Sequence, residues 1–241
     1  MMNTPSSEAL WRRIAHSVED KIRAQEYLPG DRLPPEREMS QTFMVNRHTV
    51  RRALTYLQQK RLVESTQGRG SFVRRPAILY QIGKRTRFGD ALRDQNARPR
   101  TETRQIRVQR ATERTARALS IGLGKPVIAL ERVGYSEELA ISMSRHYFSQ
   151  ERLPNFVRLY QQHGESITAT LRACGIADYT RLRTVVTARL PTVAESDLLH
   201  VPRHVPMLVT RSWNVDDLGA PLEYGEAYIA SDRMELEFEG Q

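Results

Sequence analysis

The chain has 241 residues, of which 39% are hydrophobic and 27% are charged, a composition that supports a folded core and excludes a disordered protein. No apolar stretch reaches the roughly 18–20 residues that a membrane span requires, and the N-terminus lacks the apolar core of a signal peptide. Cys174 is the only cysteine, which excludes an internal disulfide and a metal site built from several cysteines. We therefore expect a soluble, cytoplasmic protein of one or two domains.

The formal net charge is +9, and the charge is distributed unevenly. Residues 1–76 carry 14 basic and 8 acidic side chains, residues 77–126 carry 12 and 4, and residues 127–241 carry 11 and 16. A basic N-terminal half followed by an acidic C-terminal part predicts a polyanion-binding module joined to a module with another task. We place the domains at 1–76 and 85–241, with a linker at 77–84.

Two helices are predicted before residue 44. Leu10, Ile14, Val18 and Ile22 recur every four residues and give the first helix one apolar stripe. A Pro-Gly-Asp turn at 29–31 then breaks the chain. The segment 33–36 opens a short second helix that ends near residue 43, because proline is tolerated in a first helical turn.

A third helix and a hairpin follow, and both are basic. Asn46 is a suitable N-cap, and apolar residues at 50, 53, 54 and 57 form one face of the helix. Arg47, His48, Arg51 and Arg52 project away from that face. Residues 63–73 predict two strands joined by Gly68-Arg69-Gly70. Two helices joined by a short turn, of which the second is basic, followed by a basic hairpin, are typical of a winged helix-turn-helix. This pattern predicts a domain that binds double-stranded DNA.

The C-terminal part alternates strands and short helices, and we detect no internal repeat in it. Strands are predicted at 103–110, 180–190 and 234–238, and hairpins at 127–148 and 207–231. Helices are predicted at 112–119, 166–174 and 192–200, the last one beginning with a capping box of Thr192 and Glu195. Sheet-forming hairpins with segregated helices indicate an α+β domain.

The N-terminal motifs resemble the DNA-binding domain of the GntR family of bacterial regulators. The resemblance rests on LPPEREM at 33–39, VNRHTVRRAL at 45–54 and GRGSF at 68–72. Two residues depart from the family pattern, namely Met44, where many members have a glycine, and Pro35, which replaces a small capping residue. The basic third helix and hairpin, together with this resemblance, predict DNA contacts at Arg37, Asn46, Arg47, His48, Thr49, Arg51, Arg52, Gly68, Arg69 and Gly70.

The C-terminal part resembles the effector domain of the HutC subfamily, a chorismate-lyase-like (UTRA) antiparallel-sheet domain. The resemblance rests on VIALERVGY, ISMSRHYF, ESITATLRACGI and APLEYGEAYIASDR. Within the subfamily the chain looks most like regulators of phosphonate-utilisation genes of the PhnF type. The resemblance implies a repressor that acts as a homodimer and is released from DNA by a small anionic effector.

Carried over position by position, the resemblance implies effector contacts at Arg87, Arg132, Ser166 and Glu223. Two guanidinium groups can hold phosphate or phosphonate oxygens, and Glu223 can accept from a hydroxyl or amine of the ligand. Gly89, Gly134 and Ile229 stand where several members have polar residues, and Arg145 or Tyr228 can compensate. The structural alternative is that Arg132 pairs with Glu131 or Glu223, and that Ser166 only caps a helix.

The sequence also bears on three alternative functions. An enzyme is not expected, because the chain lacks a phosphate-binding glycine loop and its histidines lack the spacing of metal ligands on a helix. No cofactor is expected. The same architecture with another effector, such as an amino-sugar phosphate, is one alternative, and an anion-binding protein without a regulatory role is another.

Overall fold

The computed structural model describes residues 7–66, 70–75, 77–83 and 99–238. The chain divides into two compact units, residues 1–76 and 77–241, and each unit is described by itself. Within the described ranges no helix is long and apolar enough to cross a membrane, and no group of three or more metal-ligating side chains is found.

The first unit consists of three helices and a two-stranded hairpin. The helices are α1 (Ser7–Arg23), α2 (Glu36–Thr42) and α3 (Arg47–Gln59), and the antiparallel strands are β1 (Val63–Thr66) and β2 (Gly70–Val73). The stripe predicted for α1 packs against the apolar face of α3, since Ile14, Val18, Val50 and Leu57 are all buried in one core. The elements are those of a winged helix-turn-helix.

The turn between α2 and α3 shows why many family members have glycine where this chain has Met44. Met44 has a φ of +51°, which is a left-handed conformation that glycine adopts without steric cost. Its side chain is 89% exposed and therefore contributes little packing. Methionine is accommodated in this turn, and the turn joins α2 to α3 as the family pattern requires.

The second unit is built on a six-stranded antiparallel sheet. Its strands are β4 (Pro99–Arg110), β5 (Pro126–Ser136), β6 (Leu139–Ser149), β7 (Tyr179–Arg189), β8 (Met207–Asp216) and β9 (Pro221–Ala230), in the spatial order β4-β5-β6-β9-β8-β7. A separate parallel pair joins β3 (Ile78–Gln81) to β10 (Met234–Glu237). Residues 78–81 are thus a strand and not part of a linker, because their backbone groups pair with β10.

Helices cover both faces of this sheet. The α5/α6 face carries α5 (Phe156–Gln162) and α6 (Ile167–Ala173), which pack on Ile128, Leu130 and Phe148. The α4/α7 face carries α4 (Glu113–Leu119) near Tyr224 and α7 (Val193–Leu199) near Met207. Residues that pair directly across antiparallel strands share a face, so the strand registers assign every sheet residue to one of these two faces.

The sheet contains a structural repeat that the sequence did not reveal. The succession β4-α4-β5-β6 matches the succession β7-α7-β8-β9 element by element. Thr112 and Thr192 cap the two equivalent helices, and Ser120 and His200 end them with φ values of +53° and +50°. No repeat was predicted from the sequence, and what the two halves share is the order of their elements and the caps of their helices.

Candidate DNA-binding and effector-binding sites

The start of α3 uses two of the predicted DNA contacts for its own stability. The Asn46 side-chain oxygen accepts hydrogen bonds from the Thr49 backbone N–H at 2.9 Å and from the Thr49 hydroxyl at 3.1 Å. Thr49 is buried, with 8% of its surface exposed. Thr49 therefore helps to hold the start of the helix, and its contact with DNA stays a prediction. Asn46 is the predicted N-cap.

The basic side chains of α2 and α3 differ in what they contact. Arg47 and His48 are exposed at its first turn, and Arg37 is exposed on α2. The Arg51 Nε donates to both carboxylate oxygens of Glu36, at 2.8 and 3.1 Å. Arg52 instead places its guanidinium 4.9 Å from the ring centroid of Trp11, on the side of the helix that faces α1. Arg52 therefore packs within the unit, and its prediction as a DNA contact loses support.

A further cation, Arg32, lies against the second strand of the hairpin. Gly70 has a φ of +108°, and a Cβ atom there would lie 3.0 Å from the Arg32 Nε. The Arg32 backbone also forms a β-bridge with Phe72, so Arg32 lies against the second wing strand. Sequence reasoning missed Arg32, although a basic residue directly before the second helix was a usable signal. Gly68 and Arg69 lie outside the described residues.

The predicted effector residues are divided between the two faces of the sheet. Arg132 pairs across the strands with Ser144, and Glu223 pairs with Phe148, so both lie on the α5/α6 face. Arg145 pairs with Glu226 and Tyr228 pairs with Met143, which places Arg145 and Tyr228 on the α4/α7 face. The expectation that these four residues line one pocket was wrong, because adjacent residues of a strand point to opposite faces. Arg87 and Gly89 lie outside the described residues.

Arg132 is linked to the start of α6. Its guanidinium donates to the backbone carbonyl of Glu165 at 3.2 Å. Its Nε is buried and has no hydrogen-bond partner among the described residues. Neither Glu131 nor Glu223 pairs with Arg132 there, since Glu131 binds Arg145 at 2.9 Å. Ser166 follows Glu165 and caps α6 by accepting from the Ala169 N–H at 3.3 Å.

A hydrogen-bonded network surrounds Glu223 on the α5/α6 face. One carboxylate oxygen lies 2.5 Å from the His146 Nδ1, and the other accepts from the Asn214 Nδ2 at 2.7 Å. Burial would raise the pKa of Glu223, but the hydrogen bonds from His146 and Asn214 hold it below its usual value. Because an ionised carboxylate only accepts, the His146 Nδ1 carries the proton in this pair.

Both ring nitrogens of His146 and both carboxylate oxygens of Glu223 are engaged within this network, and Ser144 lies at its end. The His146 Nε2 lies 3.0 Å from the Ser144 hydroxyl, while both oxygens of Glu223 are already engaged. Gly225 allows the Ser212 hydroxyl to lie close to the β9 backbone, because a Cβ atom at this position would be only 2.8 Å from that hydroxyl. Sequence reasoning missed Ser144 and His146. In the predicted strand ISMSRHYF, Ser144 and His146 are two residues apart and flank Arg145. The period of two in a strand therefore places them together on the face opposite to Arg145, and this pattern was available in the sequence.

The α4/α7 face holds a separate cluster around Glu226. The Glu226 carboxylate accepts from the Tyr224 hydroxyl at 2.8 Å, the Tyr228 hydroxyl at 3.1 Å and Arg114 at 3.1 Å. Arg145 lies nearby, with its guanidinium 5.6 Å from the Tyr228 ring centroid and its Nε bonded to Glu131. Arg145 and Tyr228 are therefore engaged in a structural cluster that is separated from Arg132 by the thickness of the sheet.

Comparison with known proteins assigns the architecture to a family. The UTRA domain family matches residues 94–235, and the family described as bacterial regulatory proteins, gntR family, matches residues 10–73. The chain belongs to the GntR family. The probable transcriptional regulator PhnF of Escherichia coli (strain K12) is 32% identical over 231 residues, which cover 95% of this chain and 94% of that protein.

Other relatives agree with this assignment. An uncharacterized HTH-type transcriptional regulator of Rhizobium meliloti (strain 1021) is 35% identical over 232 residues, covering 96% of this chain and 95% of that protein. The crystal structure of PhnF from Mycobacterium smegmatis superposes with a TM-score of 0.64 at 26% identity, covering 94% of this chain and 98% of that one. The predicted resemblance and fold class are confirmed. This GntR-family protein is a transcriptional regulator that binds DNA and a small-molecule effector, and it is not an enzyme.

Proposed function

We propose that this regulator binds its operator as a homodimer and represses genes for phosphonate uptake and utilisation in the cytoplasm. A small effector that bears a phosphonate or phosphate group binds the second unit and releases the DNA. The similarity to two proteins named PhnF supports the phosphonate assignment. The decisive support within this chain is Arg132, whose surroundings are suited to an anionic group.

Arg132 supplies a partly buried cation with spare hydrogen-bonding capacity. One terminal nitrogen is held by the Glu165 carbonyl, which fixes the direction of the side chain. The buried Nε has no partner among the described residues, and such a donor carries a desolvation cost of about 1–3 kcal/mol until a ligand accepts from it. A phosphonate presents several oxygens in the geometry that a guanidinium recognises. Ser144, paired with Arg132 across the strands, adds a hydroxyl.

The other end of the same site is polar and geometrically fixed. His146 is oriented by Glu223, and the buried Asn214 side-chain oxygen has no partner among the described residues. These groups suit a hydroxyl or amine of the effector. They also support the second candidate effector, an amino-sugar phosphate, because such a molecule carries both an anionic group and several hydroxyl groups.

For the operator, we propose contacts from Arg37, Arg47, His48 and Arg51, with the wing approaching the backbone through Arg69, Gly68 and Gly70. Arginine on a recognition helix can donate two hydrogen bonds to guanine O6 and N7. A homodimer presents two such helices to two half-sites. Asn46 contributes by fixing the start of α3 and thus the direction of Arg47.

The test uses the full-length protein and fluorescent operator DNA that the protein itself has selected from a random pool. Fluorescence anisotropy is followed while 2-aminoethylphosphonate, methylphosphonate, glucosamine 6-phosphate or glucosamine is added. A phosphonate is expected to release the DNA, and Arg132→Ala is expected to abolish the release without weakening operator binding. Arg132→Lys should restore only part of the response, because an ammonium group lacks the planar pair of donors.

Arg172→Ala is the matched control, because Arg172 is an exposed cation on α6 and its loss changes the net charge equally. It should respond to phosphonate as the unmodified protein does. Release by glucosamine 6-phosphate alone identifies the second candidate. Release by glucosamine that persists in Arg132→Ala refutes the anion-sensing proposal.

A further inference from the structure

The α4/α7 face carries a cavity that none of the predicted effector residues lines. It has a volume of about 900 Å³ and lies between α4 and the strands β7, β8 and β9. Its walls include Arg114 and Arg117 of α4, Arg183 of β7, and Arg211 and Trp213 of β8. The volume falls within the range of small-molecule sites, and the cavity lies entirely within the second unit.

The cavity has an excess of positive charge. The buried carboxylate of Glu226 is already engaged by Arg114 and by two tyrosine hydroxyls, so it does not neutralise the other cations. Arg117, Arg183 and Arg211 remain, against the single exposed carboxylate of Glu113. Neither Arg117 nor Arg211 forms an ion pair with any residue in the part of the chain that the structure describes. An anionic group therefore suits this cavity.

The same cavity has an aromatic wall. The Trp213 and Tyr224 ring centroids are 5.3 Å apart, and those of Tyr224 and Tyr147 are 5.9 Å apart. Arg183 lies over the Trp213 ring at 4.0 Å. Trp213 and Tyr147 are partly exposed where they line the cavity, so the Tyr147 ring and the part of the Trp213 ring that Arg183 does not cover can contact a ligand. Flat aromatic ligands are held by such surfaces through stacking and edge contacts.

We propose that this cavity is a second small-molecule site, specific for an aromatic ring that carries a phosphate or carboxylate group. The ring packs against Trp213 and Tyr147, and the anionic group binds Arg117 and Arg211. This site does not depend on the proposed phosphonate effector, because it uses the opposite face of the sheet.

The position of the site connects it to the network around Glu223. His146, Asn214 and Glu223 form that network on one face, and their chain neighbours Tyr147, Trp213 and Tyr224 form the aromatic wall on the other. A ligand that shifts the aromatic wall thus acts on the same three strands that hold the network. Occupancy of the second site is expected to change the affinity of the first, in either direction.

The test follows the fluorescence of Trp213 in the full-length Trp11→Phe variant, since Trp11 is the other tryptophan of the chain. Phenyl phosphate is the probe, and inorganic phosphate is the control that lacks a ring. A saturable change in Trp213 fluorescence with phenyl phosphate, at least about tenfold weaker in Arg117→Gln and Arg211→Gln, supports the site. Arg132→Ala should leave the titration unchanged, which separates this site from the opposite face.

Three results overturn the proposal. A change that does not saturate, or one that inorganic phosphate reproduces equally, shows that no ring-specific site exists. A titration abolished by Arg132→Ala but retained in Arg117→Gln and Arg211→Gln assigns the binding to the α5/α6 face. A dimer that dissociates in Arg211→Gln, measured by sedimentation, shows that a second copy of the chain occupies the cavity. Circular dichroism melting confirms that each variant folds.

Discussion

At Arg51, one of the proposed operator contacts, a neighbouring carboxylate determines which guanidinium nitrogens remain available. Glu36 accepts only from the Nε of Arg51, which leaves the outer edge with its two terminal nitrogens directed away from the pair. That edge is the one that donates to guanine O6 and N7. The pair is exposed on both sides, so its own contribution to stability is small, and its effect is mainly to orient the guanidinium.

Arg51→Ala is expected to weaken specific operator binding by about 1–3 kcal/mol, because a base contact is lost. Arg52→Ala is the control from the same helix, and its effect should be smaller because Arg52 packs on Trp11. Anisotropy titrations against the selected operator measure both. Unchanged operator affinity in the Arg47→Ala, Arg51→Ala double variant would refute the assignment of α3 as the recognition helix.

Glu36→Gln should reduce discrimination between operator and random DNA. The substitution removes a negative charge from the DNA-facing surface, which raises affinity for any DNA, and it loosens Arg51, which lowers the preference for the operator. The ratio of the two dissociation constants at one salt concentration is the relevant measurement. Glu38→Gln on the same helix is the matched control, since it removes an equal charge without touching Arg51, and an equal fall in the ratio there would contradict the orienting role.

The elements of both units were largely predictable from the sequence, with helix α5 and strand β3 as the exceptions. The stripe on α1, the Asn46 cap and the Thr192 capping box are local signals, and the structure forms all three as predicted. Helix α5 was missed because it is only seven residues long and has no side-chain cap. It forms because Phe156 and Tyr160 pack beneath Phe148, which is a tertiary cause.

The proposed effector site was predictable only in part, for a similar reason. Arg132 and Ser166 could be placed from the resemblance, but the partner of Glu223 is His146, at a distance of 77 residues along the chain. Such long-range pairing is not encoded in any local pattern. The sequence did contain the information that Arg145 and Tyr228 lie on the face of the sheet opposite to Arg132 and Glu223, because side chains alternate between the two faces along each strand.

The start of α7 allows a prediction about pH. Arg189 donates to both oxygens of Glu195 at 2.6 and 2.7 Å, and Thr192 adds a further bond, which together lower the pKa of Glu195 from 4.5 to about 2. A carboxyl group with a lowered pKa stabilises the fold above its unfolded pKa, and this contribution is lost as the pH falls from about 4.5 to about 2. This contribution to the free energy of unfolding is about 2–3 kcal/mol. It is smaller than the full pKa shift would give, because Arg189 is partly exposed and solvent screens its charge.

Arg189→Gln is therefore expected to lower the free energy of unfolding at pH 7 and to have little effect near pH 2. Urea unfolding followed by circular dichroism at pH 7, 4 and 2 measures the difference. Arg172→Gln, an exposed cation on α6, serves as the control and should show no such pH dependence. An Arg189→Gln effect of the same size at every pH would show that packing, and not the ionised pair, stabilises the start of α7.

At the scale of the whole molecule, the charge distribution separates the two tasks of this regulator. The first 76 residues are basic, whereas residues 127–241, which include Arg132 and the Glu223 network, carry more acidic than basic side chains. The second unit as a whole, residues 77–241, carries 23 basic and 20 acidic side chains, so DNA is attracted more strongly to the first unit, and a small anion needs a locally built cationic site to bind in the second. Any influence of the effector on DNA must be a coupling of free energies between two distinct sites.

That coupling is reciprocal, and this gives the last prediction. If a phosphonate weakens operator binding by a certain factor, saturating operator DNA must weaken phosphonate binding by the same factor. Isothermal titration of the full-length protein with 2-aminoethylphosphonate, with and without operator DNA, measures the second factor, and anisotropy measures the first. Arg132→Ala should remove both effects, while Arg51→Ala should leave the phosphonate affinity of the free protein unchanged. If phosphonate releases DNA but operator DNA leaves phosphonate affinity unchanged, the release is an effect of ionic strength and the sensor assignment is wrong.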